Sequence, residues 1–280
     1  MRPQVVNSLV RLNSTLAITT RTTLLKPLAV APITATRPQK FFTTSTSRTK
    51  LVKPQAKTTT SDHNINIPTP SQPVTMAAPV NANSFLENIK ARRTYYALNK
   101  DLSISTARIQ EIVEEAIRQV PSSFNSQSNR IIVLFGAEHD KFWDLTTEVL
   151  KGVVPAEQWE PTAGRMAGFK AGAGTILFYE DQQVVQTFQK KFALYSDKFP
   201  IWALQSDAMI QYALWTALEA EGLGANLQHY NPLVDAKAAA EWKVPDSWTL
   251  NAQLVFGGRA GEPGPKDQQP IEERLKVYGA

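Results

Sequence analysis

Apolar residues recur at helical spacing most densely in the stretch Ser206 to Pro232, SDAMIQYALWTALEAEGLGANLQHYNP. Met209, Ile210, Ala213, Leu214, Ala217 and Leu218 fall at i, i+1, i+4, i+5 spacing, with Tyr212 and Trp215 on the flanks. So little of the circumference is polar that a helix buried on most sides is predicted, within a core or at a subunit interface. Ser206 is a suitable N-cap, and Asp207 puts negative charge in the first turn, where the helix dipole favours it. Gly222 stands where a left-handed residue would end the helix, and a polar exit, Asn226 to Asn231, follows directly.

Elsewhere the pattern gives a series of shorter elements. Ser84 and Glu87 form an S-x-x-E capping box leading into Phe85, Leu86 and Ile89, so the fold is expected to begin at Ser84. A helix from about Ser105 to Val120 places Ile109, Ile112, Val113, Ala116, Ile117 and Val120 on one stripe, and Pro121 ends it. Arg130 to Gly136, Gly174 to Tyr179 and Leu250 to Gly258 read as buried strands, with helices at Glu138 to Leu150, Gln182 to Leu194 and Asp235 to Trp242. Val154 to Gly172 carries prolines, glycines and the isolated aromatics Trp159 and Phe169, and is expected to be the most mobile part of the fold. Helices outnumber strands and their order does not repeat as β-α-β, which favours an α+β fold over a doubly wound sheet.

Charge divides the chain in two. Residues 1–75 hold ten of the thirty Lys and Arg but only Asp62 of the twenty-five acids, which leaves twenty bases against twenty-four acids in residues 76–280. The folded part is therefore mildly acidic, which argues against a nucleic-acid-binding surface. The first segment, with spaced arginines and many Ser and Thr, has the composition of a mitochondrial transit peptide; the alternative is a disordered basic tail. Met76 stands where patterning begins and could start a tail-less cytoplasmic form. The 280 residues thus divide into a targeting segment, 1–75, and one folded domain, 76–280. With no cysteine there are no disulfides, thiolate metal sites or cysteine nucleophiles, and His63, His139 and His229 lack partners at metal-ligand spacing. No apolar run approaches the roughly 20 residues of a membrane-spanning helix.

Several stretches could carry chemistry. Gly172 and Gly174 precede a strand, where a dinucleotide fingerprint needs its glycines between strand and helix. Ser122 and Ser123 lack the G-x-S-x-G setting of a nucleophile. Three further sets are informative together: the charges and hydroxyl of Arg92, Arg93 and Thr94, the hydroxyls and amides of Pro121 to Gln127, and Lys266 in a loop past the last strand. A planar ligand that bears a phosphate and polar edges requires such a set, although each alone is ordinary surface chemistry.

At these positions the sequence resembles the FMN-dependent nitroreductase family, in its fungal and bacterial branch. The resemblance runs from about Ser84 to the C-terminus, on KARRTYYAL (Lys90 to Leu98), PSSFNSQ (Pro121 to Gln127), GLGANLQHYNP (Gly222 to Pro232) and FGGRAGEPGPK (Phe256 to Lys266). It implies a central, mostly antiparallel sheet flanked by helices, and an interlocked homodimer with the flavin at the subunit interface and one C-terminal segment extended over the other subunit. By position, Arg92, Arg93 and Thr94 match the motif for the flavin phosphate and ribityl chain, and Lys266 matches a second phosphate contact. Ser122, Ser123, Asn125 and Gln127 match the segment contributed by the partner subunit. Leu227, Gln228 and His229 match the stretch that runs along the ring near N5 and O4. Tyr96 stands where the wider family often has a basic residue, which makes Arg93 the candidate for charge at N1 and O2 of the reduced ring, and Gln268 stands where it often has another, which implies a less cationic phosphate site. The resemblance implies ping-pong transfer of hydride from NADH or NADPH through flavin N5 to a nitroaromatic or quinone, with no protein nucleophile. Val154 to Gly172, with Phe192, Tyr195 and Phe199, is the expected lid. The alternative function is a flavin-binding regulatory or stress-response protein with little turnover.

Overall fold

The computed structural model of the protein describes residues 81–280; the expectations for segment 1–75 and for a start at Met76 lie outside the described residues. Its strands are β1 (Leu98–Asn99), β2 (Asn129–Phe135), β3 (Gly174–Asp181), β4 (Gly224–Gln228) and β5 (Trp248–Arg259). They form one sheet in the order β1-β5-β3-β2, with β4 also on β5, and every strand pairing is antiparallel. The helices are α1 (Ala82–Ala91), α2 (Thr106–Gln119), α3 (Ala137–Lys151), α4 (Trp159–Lys170), α5 (Gln182–Lys191), α6 (Phe199–Ala220) and α7 (Asp235–Trp242). The α+β expectation holds, with an antiparallel sheet between two helical layers.

β3 is buried at every position because both of its faces are covered. Ile176 and Phe178 meet Ile109 and Val113 of α2 and Ile210, Leu214 and Leu218 of α6. The alternate residues Leu177 and Tyr179 meet Phe142 and Trp143 of α3, Met166 and Phe169 of α4 and Ala238 of α7. On β5, Ala252, Leu254 and Phe256 face the α2/α6 side. Leu250 has the same parity yet packs on the opposite side, because the register slips between Phe178 and Tyr179 and leaves Asn251 as the extra residue of a bulge.

α6 begins eight residues further upstream than its polar signals indicate, with Lys198 rather than Ser206 at the cap. It opens at Phe199 with Pro200 in the first turn, where a missing N–H costs nothing. Phe199, Ala203, Ser206, Ile210 and Leu214 continue one buried stripe through the position expected to be the cap. Ser206 Oγ donates instead to Trp202 O at 2.8 Å, and Asp207 is buried rather than set in a first turn. Nor is the helix covered on most sides within one chain: Ile201, Leu204, Met209 and Tyr212 remain exposed. Its end follows expectation. Gly222 at φ +90° lets Leu223 N–H reach Leu218 O at 3.1 Å and its own N–H reach Glu219 O at 3.0 Å, a Schellman closure.

Three further boundaries are corrected. α1 is capped by Asn81, whose Oδ1 accepts from Asn83 N–H at 2.9 Å, while Ser84 Oγ donates back to Asn81 O, so the Ser84–Glu87 capping box does not form. The segment Val154 to Gly172, expected to be the most mobile part of the fold and given no helix, is mostly α4; Met166 and Phe169 anchor it in the core, and Pro161 sits in its first turn, where proline is tolerated. The helix expected to reach Leu194 stops at Lys191 and gives way to a 3-10 turn at Ala193–Lys198. Among the described residues no helix is long and apolar enough to cross a membrane, and no group of three metal-ligating side chains assembles.

Candidate functional site

The cationic stretch at the end of α1 is held in place by backbone pairing and by one buried carboxylate. Arg92 leaves the helix in extended conformation, its N–H bonded to Asn88 O at 3.0 Å. The chain then lies alongside β4: Thr94 bridges Ala225 in parallel, Tyr95 N–H donates to Ala225 O at 3.0 Å, and Asn226 Nδ2 donates to Tyr95 O at 2.8 Å. Glu219, on the last turn of α6, accepts from Arg93 N–H at 2.9 Å and from Trp215 Nε1 at 2.8 Å, with Arg259 at 3.9 Å. Burial pushes the Glu219 carboxyl above its ordinary range, and the Arg93 N–H, Trp215 and the nearby arginines pull it back. The Arg92 guanidinium lies 4.4 Å from the centre of the Trp215 ring, a cation-π contact that aims it along α6.

These constraints shape a cleft of about 320 Å³ lined by Arg92, Arg93, Thr94, Tyr96, Gly264, Pro265 and Lys266. Three cations and the hydroxyl-bearing Thr94 and Tyr96 line it, and no carboxylate is among its lining residues. Arg93 donates through Nη2 to Gly264 O, which ties the loop carrying Lys266 to the end of α1. Arg92 Nε is buried and without a hydrogen-bond partner among the described residues, a donor left for a ligand. A donor set of this kind fits a phosphate.

Tyr96 also borders a second cavity, of about 630 Å³, whose other lining residues are Gly164, Arg165, Gly168, Phe169 and Gln228. Gln228 ends β4, and its Nε2 donates to Asn226 Oδ1 at 2.9 Å, so the amide is held by its neighbour on the strand. Of the eleven residues expected at the site, Arg92, Arg93, Thr94, Lys266 and Gln228 are thus gathered around two adjoining spaces. Leu227 is half-buried and turns towards the α6 layer, and His229 is exposed past the strand end.

Ser122, Ser123, Asn125 and Gln127 line neither space. They form a tight turn against the first half of α6, with Ser123 N–H on Ser206 Oγ at 3.3 Å and Gln127 N–H on Ser122 Oγ at 2.9 Å. Phe124, Asn125 and Gln127 take φ of 57°, 50° and 51°, a strained run for residues other than glycine. Thirteen residues of α6 separate Ser206 from Glu219, about 20 Å at the helical rise, so within one chain this turn is remote from the cationic cleft. Phe192, Tyr195 and Phe199, expected in a lid with α4, instead surround Phe124, at ring separations of 4.8, 6.5 and 5.4 Å.

Sequence reasoning offered Val154 to Gly172 as a lid but did not name the residues with which this stretch lines the larger cavity. Gly164, Arg165, Gly168 and Phe169 lie at i, i+1, i+4 and i+5 on α4. Two glycines one turn apart, flanking an arginine, were the available signal, but the same glycines and Pro161 read as a loop.

The Nitroreductase family profile matches residues 89–258. The nitroreductase-type protein HBN1 of Saccharomyces cerevisiae is 40% identical over 185 residues, which span 65% of this chain and 92% of that relative. The solved structure of the nitroreductase CinD from Lactococcus lactis, in complexes with chloramphenicol and with 4-nitrophenol, has a TM-score of 0.64 at 42% identity, covering 70% of this chain and 100% of its own. A nitroreductase with bound FMN from Desulfitobacterium hafniense shares the fold at a TM-score of 0.52 and 18% identity, covering 69% and 97% of the two chains.

Proposed function

The chain belongs to the nitroreductase family, and from that premise we propose an FMN-dependent oxidoreductase that takes hydride from NADH or NADPH and reduces nitroaromatic or quinone-type acceptors. The observation that carries this reading is the acid-free cleft of Arg92, Arg93, Thr94 and Lys266, opening at Tyr96 onto the cavity that ends at Gln228. The FMN-bound relative of the same fold and the nitro compounds bound by CinD support it. When bound, FMN would supply the redox chemistry of hydride transfer. Arg92 and Lys266, which line the cleft, would hold its phosphate by charge-assisted hydrogen bonds, and Thr94 would offer its hydroxyl to the ribityl chain. Gln228, steadied by Asn226, would present an amide to the ring edge, and Arg93 is the group assigned to negative charge at N1 and O2. Glu219 acts one step back, by fixing the backbone from which the arginines project.

The working unit in this proposal is a homodimer. Two features support it: the turn at 122–127, about 20 Å along α6 from the cleft it is expected to complete, and the exposed apolar face of Ile201, Leu204, Met209 and Tyr212. Ile271, Leu275, Val277 and Tyr278 of the C-terminal segment are equally exposed and suit a neighbouring subunit. The charge asymmetry of residues 1–75 supports import into mitochondria and removal of that segment ahead of the domain at 76–280; a start at Met76 would give the cytoplasmic alternative.

Anaerobic mixing of the purified protein with NADH or NADPH tests the reading. Rapid bleaching of the flavin absorption, followed by its return when a nitroaromatic is added, is the expected result. A bound flavin that stays oxidised would overturn the enzyme and favour the regulatory flavin-binding alternative.

A further inference from the structure

The turn at 122–127 is held in shape from outside. Backbone with φ of 57°, 50° and 51° at Phe124, Asn125 and Gln127 persists only where its surroundings over-determine it. At the entry, Ser123 N–H donates to Ser206 Oγ at 3.3 Å. At the exit, Arg130 Nη1 donates to Gln127 O at 2.8 Å, while Arg130 Nη2 meets Asp181 Oδ2 at 3.0 Å. Two residues past the turn, the Asn129 amide nitrogen lies between two carboxyls, 3.4 Å from Glu180 Oε2 and 3.3 Å from Asp207 Oδ1. Glu180 precedes Asp181 on β3 and Asp207 follows Ser206 on α6, so the acid pair sits on the same two elements that anchor the turn.

Both carboxyls are only 1% exposed. Asp207 Oδ2 accepts from Gln211 Nε2 at 2.6 Å and from Asn251 Nδ2 at 3.0 Å, neutral donors from α6 and β5. Glu180 Oε1 is buried and has no hydrogen-bond partner among the described residues. The charged groups facing Glu180 are Arg130 from β2, Asp181 beside it and Asp207 from α6, with the Ser128 hydroxyl on the segment that leaves the turn. One arginine already paired with Asp181 cannot balance three carboxylates away from water, so the pair retains a proton: burial pushes Glu180 up to about 7 and Asp207 up to about 6.

We propose that Glu180 and Asp207 are positioning residues for the turn at 122–127: the proton they hold keeps its strained backbone docked, and loss of that proton loosens it. The part given to the turn, completing the flavin site of a neighbouring subunit, rests on the flavin reading; the docking does not. Release of the turn lets water reach the pair and returns both carboxyls to an ordinary pKa of about 4. Release is therefore opposed in acid, becomes easier as pH rises from about 4 to 7, and changes little above.

Hydrogen exchange of the full chain from pH 5 to 8, corrected for intrinsic rates, reads the turn through the N–H groups of Ser123, Asn125, Ser126 and Gln127. They are expected to exchange faster than those of β3, by local opening, and to lose protection at least about tenfold between pH 5 and 7. Glu180→Gln, which keeps the neutral shape at every pH, flattens that slope, and Asp207→Asn reduces it. Protection that does not vary with pH, or a slope that survives both substitutions, would overturn the proposal. So would exchange at the rate and slope of β3, the mark of a purely structural role. The ratio of FMN affinities, Glu180→Gln over the unmodified protein, cancels the titration of the FMN phosphate and is expected to rise about tenfold over the same range. A flat ratio beside a sloping exchange would overturn the coupling to the cofactor. A protein that binds no FMN at any pH removes the flavin reading, while the exchange slope still decides the docking.

Discussion

Glu219 shows how a single buried side chain positions a cationic loop that does not touch it through charge alone. Its two carboxylate oxygens satisfy Arg93 N–H and Trp215 Nε1, so Glu219→Ala leaves both donors unpaired. Each buried orphan costs about 1–3 kcal/mol, and the variant is expected to melt earlier and to retain FMN less well, as calorimetry and flavin content would report. Arg92→Ala acts on the ligand directly: loss of a charge-assisted bond should weaken FMN binding by about 1.5–3 kcal/mol, measurable as the flavin Kd by fluorescence titration. A different pair governs pH. Burial pushes Glu180 up to about 7 and Asp207 up to about 6. Asn129 Nδ2 lies 3.4 Å from Glu180 and 3.3 Å from Asp207, and Arg130 and Asp181 are close by. Both carboxyls hold protons more tightly folded than unfolded, so the stability they contribute is complete below their unfolded pKa and is lost as pH rises through about 6 to 7. Urea unfolding is expected to show a stability decline between about pH 4 and 7 that Glu180→Gln flattens.

α2 and α6 explain which elements could be read from the sequence and which could not. In α2 the local signals and the packing agree: Ser105 Oγ accepts from Arg108 N–H at 3.1 Å, Ile109 and Val113 are buried with Ile112, Ala116 and Val120 packed partly beside them while Ile117 stays exposed, and Pro121 follows the end. In α6 they conflict, because Ser206 and Asp207 resemble a start but lie on a stripe that tertiary burial extends back to Phe199. α4 was hidden by Gly164 and Gly168, which weaken helix propensity. The bulge at Asn251 was equally invisible, since nothing local marks the residue that moves Leu250 to the opposite face. The C-terminal turn of α6 was legible because only glycine adopts Gly222's φ of +90° without penalty. Gly222→Ala should cost about 1–2 kcal/mol, seen as a lowered Tm, without disturbing the sheet.

For the whole molecule, the cationic half of the site was readable because its residues are contiguous, and Lys266 joins them through a loop tied to Arg93. The other half was readable as residue types but not as places: nothing in a linear sequence says that the turn at 122–127 docks on the far part of α6. A homodimer would resolve that separation, and sedimentation of the purified protein is expected to give twice the chain mass; a monomer at micromolar concentration would contradict it. The most direct test of the account is equilibrium titration of the full chain with FMN. One flavin per chain, bound by the unmodified protein and lost when Arg92 and Lys266 are both changed to alanine, is the predicted outcome. Failure to bind FMN, or full retention in the double variant, would contradict it.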